Sequence, residues 1–585
     1  MKMRNILLAM TLVIASILSG CAKKQDASER VLNIVSPAEI KGFDPIMADD
    51  LYSGREIGKI YESLLAYHWL KVPYELIPNL AETMPEISKD GITYTFKIRK
   101  GVLFQDDAAF PNGKGRELEA SDFVYSIKRL ADSKSQANGW WILDGKLKGL
   151  NEWRDKNANL PVTNYDEEVE GLKALDKYTL QFKLAKPFPQ FLYALAMGFT
   201  SAVSKEVVAK YGKEFINHPV GTGPYVLPKF DQGKRITYTK NPTFREKFYP
   251  SDASPEYKDY LADAGKRLPL VDKIVVHVMV ESQPGWLKFN KGELDYYSIP
   301  KDNFASAIKD NKLSADLEAK GIILSITPLL DLTYTGFNFD NKLFQNTKLR
   351  RAMALAFDEN KSNELFYNNT SFSAQGAIPP GIAGNVKDYK NPYKGPNLDA
   401  AKKMLAEAGY PEGKGLPEIT YDIPDSTTSR QSGEFFQKQM EQIGIKIKIS
   451  ASPWPEFQAK LKKRGGQMFG LAWGADYPDG ENFLQLFYGP NSSPGSNSTN
   501  YNNPVFNKQF ETAVMMQDSP ARTALYEKLN QFLAEEVVVI FNMHRQSYTV
   551  QQGWLRNYHS SDLNHDAYQY LNVDTAKKEE LIKKF

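Results

Sequence analysis

Apolar and polar residues alternate over several short stretches of this chain. In YTFKIRKG, Tyr94, Phe96 and Ile98 share one side, and in YTLQFKL Tyr178, Leu180, Phe182 and Leu184 do the same. A two-residue period is that of a strand with one face buried. KIVVHVMV at 273–280 is nearly continuous in apolar residues, which predicts a strand covered on both faces. Other stretches carry the helical period. Asp399 is placed to cap AAKKMLAEAG, which Gly409 ends. Ser519-Pro520 opens ARTALYEKLNQFLAEE, with Leu525, Leu529 and Phe532 on one apolar face. Residues Glu434 to Ile443, then Gly444, then IKIKI at 445–449 read as helix, stop and strand, the unit of a mixed α/β sheet. Pro/Gly-rich punctuation near 187–189, 219–225, 378–384 and 489–495 marks loops or crossings between lobes. No solenoid-period repeat and no low-complexity block interrupts the pattern.

The N-terminus departs from both periods. Lys2 and Arg4 precede an apolar run from Ile6 to Leu18, too short for a comfortable membrane span and suited to a signal-peptide core. Leu18-Ser19-Gly20-Cys21 follows and resembles the bacterial lipobox. That resemblance implies a signal peptide over 1–20, cleavage before Cys21, lipidation of Cys21, and a polar tether over 21–30. An ordinary secretory signal with an incidental cysteine is the alternative. Cys21 is the single cysteine of the chain, so a structural disulfide is excluded. No later segment reaches a membrane-spanning length; VVVIF at 537–541 is strand-sized. The expected product is an exported globular body, periplasmic or at the cell surface, anchored to a membrane through its first residue.

A length of 585 residues predicts two to four domains. The 42% hydrophobic and 24% charged content is that of a soluble globular protein. A net charge of +3 without a basic stripe gives no footprint for nucleic acid. Aromatic residues make up 12% of the chain, with 31 Tyr and 8 Trp, which fits core filling and also an aromatic-lined recognition surface. The six histidines form no H-E-x-x-H pair and no Cys/His cluster, so no metal site is expected. There is no phosphate-binding P-loop and no G-x-S-x-G elbow, and Gly221-Thr222-Gly223 lacks the rest of a dinucleotide fingerprint. His277 lies inside a strand pattern and reads as structural. The 70 carboxylates leave a surface hydrolase as a remote alternative, because sequence alone cannot pair them.

A series of phrases in fixed order carries a further reading. It begins at GFDPIMADD, with Asp44-Pro45, and IYESLLAY, with Tyr61-Glu62. It continues through NLAE at 79–82, YTFKIRKGVLF, EASDFVYSIKRL at 119–130, HPVGTGPYVL at 218–227 and TKNPTF at 239–244. FNKGELDYY at 289–297, FNFDN with LRRAMALAFD within 337–358, IPPG at 378–381, LDAAKKMLAEAGY at 398–410 and EQIGIKIKI complete it. Together these resemble family 5 of the bacterial solute-binding proteins, the oligopeptide- and dipeptide-binding proteins of ABC importers. The resemblance implies an α/β, periplasmic-binding-protein-like fold of two hinged lobes plus an extra inserted domain. We place lobe I at 31–76 with 200–326 and 545–585, the inserted domain at 77–199, and lobe II at 327–544. It also implies a monomeric, non-enzymatic receptor without cofactor, which captures peptides by lobe closure and delivers them to an ABC permease in the inner membrane. The same fold serves non-peptide solutes, so an oligosaccharide, a nickel complex or a haem-like ligand is the alternative.

The site expectation rests on GLAWGADYPDGENFL at 470–484. Trp473, Gly474, Ala475 and Asp476 match the family's W-x-x-D spacing, which implies that Asp476 anchors the ligand's α-amino group. A carboxylate buried in a closed cleft makes charge-assisted hydrogen bonds to an ammonium. The alternative is a turn aspartate bonding its own backbone. The sequence departs from the family after the aspartate, with Asp479-Gly480 where Asp-Pro is common. Trp473 and Tyr477 are pocket walls or core, and Trp454 in SPWPEF is a further wall. Arg430 in TTSRQSGEFF is either an exposed arginine or the partner of a peptide carboxylate.

Overall fold

The computed structural model describes residues 29–585 other than Ala48 and Asp562. The signal segment, Cys21 and the tether up to residue 28 therefore lie outside the described residues. One lobe is built on a four-stranded sheet in which Val31–Ser36 runs parallel to Lys273–Val278, followed by Arg235–Lys240 and Tyr225–Asp231. Leu32, Ile34, Ile274 and Val276 are buried, while Val275 and His277 on the opposite face are only half covered. The expectation of two-sided burial for 273–280 is thus corrected. The β-branched residues concentrated here serve strand formation, and only alternate members enter the core.

A second module is the antiparallel sheet Glu86–Ile87, Thr93–Lys97, Thr179–Lys183 and Leu172–Asp176. Its register sets Tyr94 opposite Phe182 and Phe96 opposite Leu180, as the alternation predicts. The helix Ala120–Ala131 buries Phe123, Ile127 and Leu130. These residues share one continuous core with the first lobe.

The other lobe carries a five-stranded sheet in the order Ile447–Ser452, Ile419–Pro424, Met468–Gly474, Asp331–Phe337, Val539–Phe541. Its first two strands are parallel and joined by the helix Thr427–Glu441, with Ser426 as N-cap. Gly444 at φ +85° turns the chain back; a Cβ there would meet the Glu412 carbonyl oxygen at 2.2 Å, so only glycine fits. Two expectations are corrected in detail. The helix Leu398–Glu407 is capped by Asn397, two residues before Asp399, through its side-chain oxygen and the Ala400 N–H at 3.1 Å. The helix Pro520–Glu536 starts at Ser519 as read, but its buried stripe is Tyr526, Leu529 and Leu533, with Leu525 and Phe532 flanking it. Both stripes pass through Leu529, and packing selects between them.

The lobes are joined by two adjacent crossings. Strand Ile323–Pro328 pairs with Gln546–Gln551 in the first lobe, then continues past Leu329 and Leu330 into Asp331–Phe337 of the second. The chain returns from Val539–Phe541 through Met543–His544 and Arg545. The crossings are tied by Leu329 N–H to Arg545 O at 3.0 Å and by His544 Nδ1 to Asp331 O at 2.6 Å. Among the described residues, no helix is long and apolar enough to cross a membrane.

Candidate functional site

The lobes enclose a cavity of about 1060 Å³. Strand Met468–Gly474 delivers the chain to its edge, held by pairing of Asp331 with Gly474 and by Ala475 N–H to Leu330 O at 2.7 Å. Beyond that bond the chain leaves the sheet and Asp476 enters the cavity wall. Asn482, six residues on, fixes the turn. Its side-chain oxygen accepts from the Asp476 N–H at 2.9 Å and from Trp473 Nε1 at 3.1 Å, and its amide donates to Asp476 Oδ2 at 2.9 Å. Among the described residues the Asp476 carboxylate accepts this one amide and no backbone N–H. Among the described residues it forms no ion pair, and Oδ1 has no hydrogen-bond donor in the protein.

Burial pushes this carboxyl up to about 7; the Asn482 amide opposes the rise and the negative charge of Asp49 adds to it. Asp49, from the opposite lobe, behaves in the reverse way. Burial works against its charge, but Lys462 and Lys41 overcome that and hold it well below the usual carboxylate range. Lys462 Nζ reaches Asp49 Oδ2 across the gap at 2.9 Å. A second bridge is the edge-on contact of Tyr52 with Trp454, centroids 5.9 Å apart. A third is Glu281 of the first lobe, which accepts the Thr427 N–H at 3.1 Å at the start of the second lobe's helix. Among the described residues, Tyr67 Oη and Trp454 Nε1 are buried without a hydrogen-bond partner, and both residues line the cavity.

Of the residues singled out from sequence, the cavity brings together Asp476, Trp473 and Trp454. Tyr477 is not among its walls. It is 2% exposed, stacked on Tyr193 at 5.5 Å, and its hydroxyl donates to Glu481. Arg430 is not among them either. Its Nε pairs with Asp425 at 2.8 Å and its side chain is half exposed, on the outer side of a helix whose inner side presents Ser429, Ser432 and Gly433. Asp479-Gly480 has a local explanation. Asp479 accepts the Glu481 N–H at 2.9 Å and pairs with Arg522 at 3.1 Å, while a Cβ on residue 480 would meet Ala383 O at 2.4 Å. Asn482, the Asp49–Lys462 pair and Arg545 are site residues that sequence reading missed; their partners are distant in sequence or carry no motif. Among the described residues, no group of three or more His, Cys, Asp or Glu is arranged to hold a metal ion.

Two α/β lobes joined by a double crossing and closed on one cavity are the architecture of the periplasmic binding proteins. The chain belongs to family 5 of the bacterial extracellular solute-binding proteins: the profile described as "Bacterial extracellular solute-binding proteins, family 5 Middle" matches residues 75–495. The dipeptide-binding protein of Escherichia coli (strain K12) is 27% identical over 482 residues, covering 80% of this chain and 81% of that protein. Heme-binding protein A of Haemophilus influenzae is 26% identical over 530 residues, 88% of this chain and 87% of that protein. Among solved structures, the periplasmic binding protein DppA from Helicobacter pylori in complex with peptide STSA superposes with a TM-score of 0.77 at 24% identity, over 93% of this chain and 98% of that one.

Proposed function

We propose that the protein is an extracytoplasmic receptor that captures peptides between its lobes and presents them to an ABC-type permease. In this reading lobe I is 31–76 with 200–326 and 545–585, the inserted domain is 77–199, and lobe II is 327–544. Asp476 takes the ligand's α-ammonium, and Trp473 and Trp454 flank the ligand. The observation that carries the reading is a largely desolvated carboxylate whose second oxygen has no partner among the described residues and whose ionisation is held back by burial. An ammonium is the ligand group that relieves that state, and a peptide always has one whatever its side chains. The dipeptide-binding relative supports the ligand class. A ligand touching both lobes favours the closed arrangement by its differential affinity for it. The receptor works as a monomer, without turnover or cofactor, periplasmic or at the cell surface, and is anchored through lipidated Cys21. Anchoring raises its effective concentration near the permease, and more than one acyl chain is needed for a lasting anchor.

Calorimetry with trialanine, free and N-acetylated, tests this. Acetylation removes the charge and with it the charge-assisted hydrogen bond to Asp476, worth about 1.5–3 kcal/mol, or at least tenfold in affinity. Equal binding of the two forms, or of wild type and Asp476→Asn, would assign the ammonium elsewhere. The haem-binding relative motivates the other reading, a non-peptide solute in the same cavity. Mass spectrometry of small molecules that co-purify with the protein distinguishes the two, and co-incubated peptides are expected to stay intact.

A further inference from the structure

Arg545 lies on the second crossing, yet its side chain also lines the cavity. One edge of it is committed to the hinge. Its backbone N–H and Nε donate to the two carboxylate oxygens of Asp331, on the first crossing, at 2.8 and 2.5 Å. Its carbonyl accepts the Leu329 N–H at 3.0 Å. The other edge is uncommitted. Among the described residues Nη1 and Nη2 have no hydrogen-bond partner, and the side chain is 38% exposed where Asp331 is 3% exposed. A guanidinium held by one edge, with its fork turned into a closed cavity, is pre-set for a planar anion that accepts two parallel bonds. A purely structural hinge clasp has no need to line the ligand space.

The sheet order gives its distance from the ammonium site. Asp476 follows strand Met468–Gly474, Arg545 follows Val539–Phe541, and one strand, Asp331–Phe337, separates them. Strands lie about 4.7–4.9 Å apart, so the two chains are about 10 Å apart. An extended peptide covers that in about three residues.

We propose that Arg545 is a carboxylate-receiving subsite about three residues along the ligand from Asp476, and that it ties ligand binding to the hinge. The carboxylate comes from one of two sources: the C-terminus of a tripeptide, or an acidic side chain near position three of a longer peptide. The proposal rests on the peptide reading of the cavity. Asp331 tempers the attraction, since it already shares the guanidinium charge, so the expected preference is tenfold rather than thousandfold.

The test is calorimetry of wild type, Arg545→Gln and Arg545→Lys with trialanine, trialanine amide, and the amidated pentapeptides AAEAA and AAQAA. Wild type should bind trialanine at least tenfold tighter than its amide, or AAEAA tighter than AAQAA. The first result assigns the C-terminus and the second the side chain. Either preference should vanish in Arg545→Gln, while the penalty for N-acetylation persists. If Arg545→Gln fails to fold, Arg545→Lys keeps the charge beside Asp331 but loses the fork, and a preference cut at least threefold supports the subsite. Wild type indifferent to the carboxylate, or variants with wild-type preferences, would overturn the proposal and leave Arg545 a hinge clasp. Indifference to N-acetylation alone would strike the Asp476 reading and leave the carboxylate comparison standing.

Discussion

Peptide affinity should pass through a maximum near neutral pH, with Asp476 setting the acid side. The carboxyl is held up at about 7 in the unliganded cavity, first by burial, with Asn482 opposing and Asp49 reinforcing. An ammonium needs the ionised form, so below that pKa the ligand must displace a proton. The apparent Kd then grows as 1 + 10^(pKa − pH). On the alkaline side the peptide's own α-amino group, with an ordinary pKa of about 7.7–8.0, loses its charge. The optimum falls at about pH 7.4, where the two penalties multiply to roughly 2. At about pH 5.5 the acid factor alone is about 33, so binding is roughly 15-fold weaker than at the optimum, or about 1.6 kcal/mol. Calorimetry in two buffers of different ionisation enthalpy gives an independent reading. At about pH 6, roughly 0.9 proton should leave per peptide bound.

The same shift has a stability consequence of opposite sense for the empty protein. An acid whose folded pKa lies above its unfolded value of about 3.9 costs stability as pH rises between the two, here by up to about 4 kcal/mol. Asp476→Asn removes that cost. The unliganded variant should therefore melt higher than wild type at about pH 8, and close to wild type at about pH 4, while losing peptide-induced stabilisation. Glu481, also pushed up to about 7 by burial and bonded to the Tyr477 hydroxyl, titrates in the same range. It faces the interior and is common to both proteins, so their difference isolates Asp476. An affinity that is flat between about pH 5.5 and 7.4, or an Asp476→Asn variant with the wild-type profile, would refute the reasoning.

Lys462→Met removes the lobe-bridging partner of Asp49; trialanine affinity should fall by roughly 3–10-fold, and by a similar factor in about 0.5 M salt, because the pair is largely buried and weakly screened. Asn482→Ala strips three hydrogen bonds from the Trp473–Asp476 turn; urea unfolding should show a loss of about 1–3 kcal/mol, and the acid limb of the binding profile should move to higher pH. Cys21→Ser should yield a protein without fatty acid by mass spectrometry, soluble or still carrying its signal segment, and unchanged membrane lipidation would refute the anchor.

How far the residues disclose the site depends on where each residue finds its partner. The cap at Ser519, the stop at Gly444 and the alternation of Tyr94 with Phe96 are decided within four or five residues, and all were legible. Asn397 and Asp399 are both good N-caps two residues apart, so the helix was legible and its first residue was not. The W-x-x-D phrase singles out Asp476, and the structure sets that residue in the cavity wall. Its neighbour Tyr477 was not separable from it, because one step along a turn redirects a side chain from cavity to core. For Arg430 the sequence left two readings open, exposed or carboxylate-binding; on its helix it lies half exposed, occupied by its near neighbour Asp425. Nothing local joins Lys462 to Asp49, or Arg545 to Asp331, across hundreds of residues. These are pairs across the gap and across the hinge. A pair of the first kind exists only while the lobes are together. A pair of the second kind ties together the two crossings that form the hinge. On the proposed peptide reading, recognition is therefore not a property of a preformed surface on either lobe. The charge set proposed to meet the ligand is completed by closure itself, so substitutions at Lys462, at Arg545 or at Trp454, whose ring meets Tyr52 across the gap, should change affinity and lobe equilibrium together, while Trp473 should change affinity alone.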